Sequence, residues 1–190
     1  MIYRETTAKL AELRKQLTAI QREMRKVQAE VEPQPVQDYE FETADGAVRL
    51  SQLAGPKQEL FVIHNMGRSC PSCTLWADGF NGIYPHIADR AAFILSSPDP
   101  PDVQRDFTAS RGWRMPIVSH RSTSFAADMG YRSASGGWLP GVSVFRRDGE
   151  RILRVADTGF QPNDDFCTAW HLFDLLPEGA NGWQPKFAYG

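Results

Sequence analysis

Long apolar runs are missing from this 190-residue chain; the longest, such as Leu60–Ile63, stop far short of the length that crosses a bilayer. The amino terminus, MIYRETTAKLAELRKQL, carries charges throughout and has no apolar h-region, so it does not read as a secretory signal. Cysteine is scarce. The chain has three, only two of them close together, which is not the even, spread pattern of a disulfide-stapled secreted domain. A reducing, cytoplasmic location is the resulting expectation. There is no basic stripe either: the net charge is −2 and both signs are interspersed, which argues against nucleic acid as a partner. Neither an internal repeat nor a low-complexity segment is present. What remains is a chain long enough for one domain with a buried core and a short appendage.

Residues 1–31 differ from the rest. Leu10, Leu13, Leu17, Ile20, Met24, Val27 and Val31 are spaced three and four in strict alternation, the a/d seam of about three heptads. The flanking positions carry Arg14, Lys15, Arg22, Glu23 and Arg25, as a narrow, solvated seam requires. The expectation is one long helix over residues 2–31, ended by the stiff segment Pro33–Pro35. Its seam would form a homodimeric coiled coil or fold back on its own domain.

From Asp38 the period falls to two. Tyr39, Phe41 and Thr43, an Asp45-Gly46 turn, then Val48 and Leu50 read as a hairpin. Leu60–Ile63 reads as a strand buried on both faces. A helix follows from about Pro71, with Trp76, Phe80, Ile83 and Ile87 on one face and a kink or early break near Pro85. Ala91–Leu95 is the next strand; Asp99-Pro100-Pro101 is a helix-start signal and Gly112 a stop signal around a helix carrying Val103 and Phe107. Met115–Val118 reads as a strand and Ser122–Met129 as a short helix. Val142–Phe145 and Ile152–Val155 flank Arg147-Asp148-Gly149-Glu150, a second hairpin with an Asp-Gly turn. Asn163 would cap a last helix bearing Phe166, Trp170 and Phe173 and closed by Pro177, and the tail from Gly179 would wrap loosely on the surface. Strands alternating with helices, then a late hairpin, imply an α/β domain with a mixed sheet covered on both faces.

The chemistry-bearing motif is Cys70-Pro71-Ser72-Cys73. Two cysteines at this spacing suit a redox dithiol or half of a metal site. The pair directly follows a buried strand and opens a helix, where open α/β sheets place their sites, and that context favours the dithiol. A metal site would need two more ligands; there is no second C-x-x-C, and Cys167 and the four histidines show no ligand spacing. No metal or organic cofactor is therefore expected. On the first helical turn, residues i and i+3 share a face, so the sulfurs can meet. Cys70 at the cap would accept first-turn N–H groups and feel the positive end of the helix dipole, while Pro71 costs no needed donor. Cys70 is thus the expected nucleophile and Cys73 the resolving thiol.

The stretch DYEFETADGAVRLSQLAG, followed by a buried strand and C-x-x-C, resembles the opening of the peroxiredoxin and TlpA-like branch of the thioredoxin superfamily. LPGVSVFRRDGE is similar to thioredoxin's cis-proline, strand and hairpin. CPSCTLWADGFNG, GWRMPIVS and FAADMGY resemble a bacterial thioredoxin-like family whose members are labelled predicted dithiol–disulfide oxidoreductases, over roughly residues 1–177. The resemblance implies a thioredoxin-like fold behind a long N-terminal helix: arm and linker over 1–34, thioredoxin-like domain over 35–177, tail over 178–190. It also implies a cis peptide bond at Pro140, with Pro116 the rival, and a substrate-binding role for Leu139 and Pro140 beside the dithiol. Two departures stand out: Ser69 replaces the tryptophan that precedes thioredoxin's first cysteine, and the proline and threonine ahead of a peroxidatic cysteine are absent from NMGRSC.

Around the motif, Arg68 could stabilise a thiolate, His64 could carry protons and Trp76 could wall the site, although a solvated arginine, a hydrogen-bonded structural histidine and a core tryptophan are the plainer readings. Asp78 is a candidate to take the Cys73 proton, or a surface residue; Cys167 reads as a buried inert thiol. The sequence thus points to a thiol–disulfide oxidoreductase acting on a protein or small-molecule thiol or disulfide, with no nucleic-acid or membrane partner. A thiol peroxidase and a non-catalytic coiled-coil module are the alternatives.

Overall fold

The computed structural model describes residues 2–190, so Met1, the first residue of the expected arm, lies outside it. The chain forms two compact units, one ending at Pro33 and one spanning Gln34–Gly190. The first is a single helix, α1 (Tyr3–Ala29), with no buried residue and with Lys15–Glu12 and Lys26–Glu23 ion pairs along its surface.

The second unit is built on one eight-stranded mixed sheet in the order β1-β8-β7-β4-β5-β6-β2-β3. Its strands are β1 (Gln34–Val36), β2 (Glu40–Thr43), β3 (Gly46–Arg49), β4 (Glu59–His64), β5 (Ala92–Ser97), β6 (Ile117–Ser119), β7 (Gly141–Asp148) and β8 (Arg151–Gly159). β4, β5 and β6 are parallel to one another, and the remaining neighbours are antiparallel. Helices α2 (Leu50–Leu53), α3 (Pro71–Arg90), α4 (Pro101–Arg111), α5 (Phe125–Asp128) and α6 (Thr168–Phe173) complete the fold.

The residues expected to form a linker do more. Pro35 sits in the edge strand β1, paired with β8, where a missing N–H costs no ladder bond on the open side. Leu50, expected to extend the first hairpin, opens α2 instead and is fully buried.

β4 explains why Leu60–Ile63 is apolar throughout. Leu60 and Val62 join a core with Phe41, Leu50, Phe125 and Phe145, whereas Phe61 and Ile63 join a second core with Trp76, Phe80 and Trp170. The strand is the partition between the two cores, and period two assigns its side chains alternately to each.

α3 fills the second core with Cys73, Trp76, Ala77 and Phe80, and with Tyr84 and Ile87 partly buried. Ile83 is exposed, not part of the stripe as expected. The helix also runs through Pro85 without breaking. A proline there leaves the Asn81 carbonyl without its helical donor, and Arg114 Nη2 supplies one at 3.2 Å. The Asn81 side chain adds bonds to the Arg114 amide and the Gly112 carbonyl.

The C-terminal region departs most from expectation. Asn163 lies in a turn with φ of 70°, not at a helix cap; α6 starts at Thr168, and Phe166 is exposed. Asp164 uses its carboxylate on the Gln161 and Phe166 amides, which holds a loop where a longer helix was expected. The tail is not loose: Trp183 packs edge-on against Trp170 and Phe173, and the Phe187 carbonyl accepts a bond from Arg111 at 2.6 Å.

Two histidines are buried in or beside the first core. His64 stacks on Tyr131 at 3.7 Å and bonds Ser143 Oγ at 2.9 Å; His120 bonds Ser96 Oγ at 2.8 Å. Burial holds His64 well below the usual imidazole range, aided by His120 and Arg154, and lowers His120 to about 4, aided by Arg132. Both are neutral in the fold, but protonate below about pH 6.5 in the unfolded chain. The unfolded state therefore binds more protons, and stability falls as pH drops from about 6.5 toward 4. Each histidine contributes about 1.4 kcal/mol per pH unit in that window. The urea midpoint should decline steeply from pH 7 to 5, and His120→Gln should flatten the decline; a wild-type midpoint constant over this range contradicts the assignment.

Candidate active site

The site lies where β4 ends and α3 begins. Cys70 occupies the N-cap of α3 with extended backbone (φ −99°, ψ 104°), and Pro71 takes the first helical position. The Cys70 sulfur accepts the Cys73 amide at 3.1 Å, and the Cys70 carbonyl accepts both the amide and the hydroxyl of Thr74. A sulfur here does what a serine or aspartate oxygen does at other caps. The two sulfurs are not joined in a disulfide; Cys70 is partly buried and Cys73 buried.

The two sulfurs are driven apart in acidity. The bond from the Cys73 thiol lowers the Cys70 pKa to about 7 against the opposing cost of burial, helped by the Cys73 and Ser72 amides. Cys73 is pushed well above the ordinary thiol range, first because it donates to Cys70, then by burial and by the Cys70 charge; the Met66 amide, 3.5 Å from its sulfur, opposes the shift.

The loop between β4 and α3 is latched by groups that the sequence reading missed. Asn65 is buried, and its side-chain carbonyl accepts the Gly67 amide at 2.8 Å. Asp99, beyond the end of β5, accepts the Arg68 amide at 2.8 Å and the Ser97 hydroxyl at 3.2 Å. Gln104 in turn donates to Ser97 Oγ at 2.9 Å. Gly67 has φ of 103°, and a Cβ there would come within 3.0 Å of the Asp99 carboxylate. Only glycine fits both the backbone and the latch. Asp99 was legible only as part of a helix-start signal, and its carboxylate serves the neighbouring loop instead.

Of the residues expected near the dithiol, Trp76 is in place: it shares the second core with Cys73 and donates through Nε1 to Asp164 at 3.2 Å. Arg68 is exposed on the loop, with its amide on Asp99. His64 is not beside the sulfurs. By the alternation of β4 it faces the first core, stacked between Tyr131 and Phe125, on the opposite face of the sheet from α3. Asp78 is engaged elsewhere, paired with Arg111 and accepting Trp113 Nε1 at 2.7 Å. Cys167, at the start of α6, is buried in the second core, and burial raises its pKa.

The peptide bond before Pro140 is trans, and no cis bond occurs among the described residues, so the cis expectation is corrected for Pro116 as well. Trans is the default for X–Pro, and the neighbouring chain accommodates it: the Leu139 amide donates to the Tyr131 carbonyl at 3.0 Å, and the Pro140 carbonyl accepts Phe160 N–H at 2.9 Å. Pro140 still lies at the site's end of the sheet, because the next residue, Gly141, pairs with His64 at the end of β4. A groove of about 390 Å³ includes Leu139, Pro140, Tyr131, Asp128, Arg154 and Asp157 in its lining, but neither sulfur.

Fold and site together define a thioredoxin-like α/β domain with a cysteine pair at the head of a helix. Solved structures support that class. Peroxidoxin BcpB of Mycobacterium tuberculosis is similar over 64% of this chain and 80% of its own, with 26% identity and a TM-score of 0.52. Peroxiredoxin Q of Xanthomonas campestris is similar over 64% and 79%, at 19% identity and a TM-score of 0.55. Reduced Prx3 of Vibrio vulnificus is similar over 70% and 89%, at 10% identity and a TM-score of 0.56. Residues 3–187 match the family described as bacterial protein of unknown function (DUF899), and the chain belongs to that family. No functionally curated protein matches it. No helix among the described residues is long and apolar enough to cross a membrane.

The Asp99 latch makes a direct prediction. Asp99→Ala removes the acceptor of a charge-assisted bond, of the order of 1.5–3 kcal/mol. The Arg68 amide should then exchange hydrogen at least tenfold faster, while the β4 and β5 amides keep their protection. Unchanged exchange at Arg68 would show that the latch does not hold the loop.

Proposed function

We propose that the protein is a thiol–disulfide oxidoreductase in which Cys70 attacks and Cys73 resolves. The observation that carries this reading is the sulfur-capped helix: one thiol is held at a pKa of about 7 and its neighbour well above the ordinary range. The Cys70 thiolate attacks one sulfur of a protein or small-molecule disulfide, forming a mixed disulfide and releasing the first substrate thiol. That step removes the hydrogen bond to Cys70, the largest cause of the raised Cys73 pKa, and the Cys70 negative charge, a smaller one, while burial remains. Cys73 can then lose its proton and attack Cys70 Sγ. The Cys70–Cys73 disulfide forms, the second substrate thiol leaves, and two electrons have passed to the substrate. An external dithiol returns the pair to the reduced state.

The label of dithiol–disulfide oxidoreductase carried by the resembling bacterial family fits this chemistry. Arg68 and Trp76 flank the pair in chain and core respectively, and Leu139 and Pro140 offer an apolar wall at the same end of the sheet. Because the Leu139 amide is bonded to Tyr131, docking there relies on side-chain contact rather than on that N–H. The reaction belongs to a reducing compartment, and we place the protein in the cytoplasm.

The peroxiredoxin neighbours favour a second reading, thiol peroxidase. Cys70 would attack a hydroperoxide to give a sulfenic acid and an alcohol or water, and Cys73 would condense with it, releasing water. Stoichiometric hydrogen peroxide added to the reduced protein separates the two: disulfide closure within seconds supports the peroxidase, and closure only over hours supports exchange.

For the exchange reading, Cys70→Ser should abolish dithiothreitol-driven reduction of insulin, whereas Cys73→Ser should accumulate a mixed disulfide with glutathione that is visible by mass spectrometry. A Cys73→Ser protein with full turnover, or mixed disulfides trapped by Cys70→Ser instead, would overturn the assignment of roles.

A further inference from the structure

Helix α1 carries an apolar seam along one side. Across 27 residues, about 40 Å at 1.5 Å per residue, it buries nothing, and Leu17, Ile20 and Met24 are 54%, 58% and 64% exposed. Helices in proteins draw most of their stability from packing such a face.

From this seam we infer that α1 pairs with α1 of a second copy of the chain in an antiparallel coiled coil. The register follows from the spacing. Leu10, Leu17, Met24 and Val31 take heptad position a, and Leu13, Ile20 and Val27 position d. In an antiparallel pair each a residue meets a d residue of the other helix. One alignment uses the whole seam: Leu10 opposite the second copy's Val27, Leu13 opposite its Met24, and Leu17 opposite its Ile20, each twice by symmetry. Thr6 and Val31 close the ends.

Charge selects this orientation over the parallel one. The g positions are Lys9, Gln16, Glu23 and Glu30, and the neighbouring e positions are Arg14, Gln21 and Gln28. Antiparallel helices bring g against g. Lys9 then faces Glu30 of the second copy at both ends, Gln16 faces Glu23, and no like charges meet. Parallel helices would bring g against e one heptad on, placing Lys9 against Arg14 twice. The pattern is self-complementary about a twofold axis between Thr18 and Ala19, and that self-complementarity identifies a second copy as the partner. The pairing uses no residue of the sulfur site, so it stands independently of the proposed activity.

Sedimentation equilibrium of the full-length protein, kept reduced and at low ionic strength, tests the inference. The wild type should be a dimer and Leu17→Asp a monomer. Lys9→Glu distinguishes the orientations because its effect has opposite signs: it weakens an antiparallel dimer, by about tenfold in dissociation constant for two reversed surface pairs, and tightens a parallel one. Lys9→Glu combined with Glu30→Lys should restore the wild-type constant. A monomeric wild type, a dimer indifferent to Leu17→Asp, or tighter association of Lys9→Glu would each overturn the inference.

Discussion

The hydrogen bond from the Cys73 amide to the Cys70 sulfur is the contact on which the site depends. It makes a sulfur the cap of a 20-residue helix, sets it beside the Cys73 thiol whose hydrogen bond is the main cause of its acidity, and adds the pull of the helix-end amides. For the bond to form, the chain must leave β4, turn through Gly67 and enter α3 with Cys70 still extended and Pro71 already helical. Each part of that path has a physical reason. Asn65 and Asp99 take the loop amides, Gly67 adopts a backbone angle that other residues avoid, and Pro71 removes only a donor the helix does not need. The sheet supplies the fixed end of the path, since β4 is central and packed on both faces.

That central strand also divides the chemistry. Cys73, Trp76 and Cys167 belong to the core under α3 and α6, while His64 stacks among Tyr131 and Phe125 on the other face. Asp78, the other candidate proton acceptor, is committed to Arg111 and Trp113. Acid–base control in the proposed reaction is left to the sulfur pair and the backbone amides around it. Cys73 is suppressed while Cys70 is a thiolate and released once Cys70 is bonded to substrate. In this scheme the order of the two steps is set by the coupling between the thiols.

How much of this was legible in the sequence depended on whether the governing interaction was local. The heptad spacing of α1, the buried strand Leu60–Ile63, the Asp148-Gly149 hairpin and the cap position of Cys70 rest on neighbours a few residues apart, and each was readable. Two groups that act across long stretches of chain were not. The Asp99 carboxylate reaches back to Arg68, 31 positions earlier, and Pro85 is tolerated because Arg114 serves the carbonyl it abandons. A similar limit applied to Ile83, whose spacing fits the α3 stripe but whose place is outside the packed arc of Cys73, Ala77, Phe80 and Tyr84. The cis bond at Pro140 came from resemblance, and Tyr131 and Phe160 hold the trans chain in a way that no local motif announces. Gly141 shows the same dependence on distant partners: a Cβ there would collide with the Tyr131 ring at 2.2 Å.

The most direct measurement is the pH dependence of iodoacetamide alkylation of the reduced wild-type protein, with the modified cysteine located by mass spectrometry. The account predicts that label enters Cys70 first, at a rate that rises through a midpoint near pH 7, while Cys73 and Cys167 stay unlabelled. A Cys70 midpoint at the free-thiol value of about 8.5, or label entering Cys73 first, would contradict it.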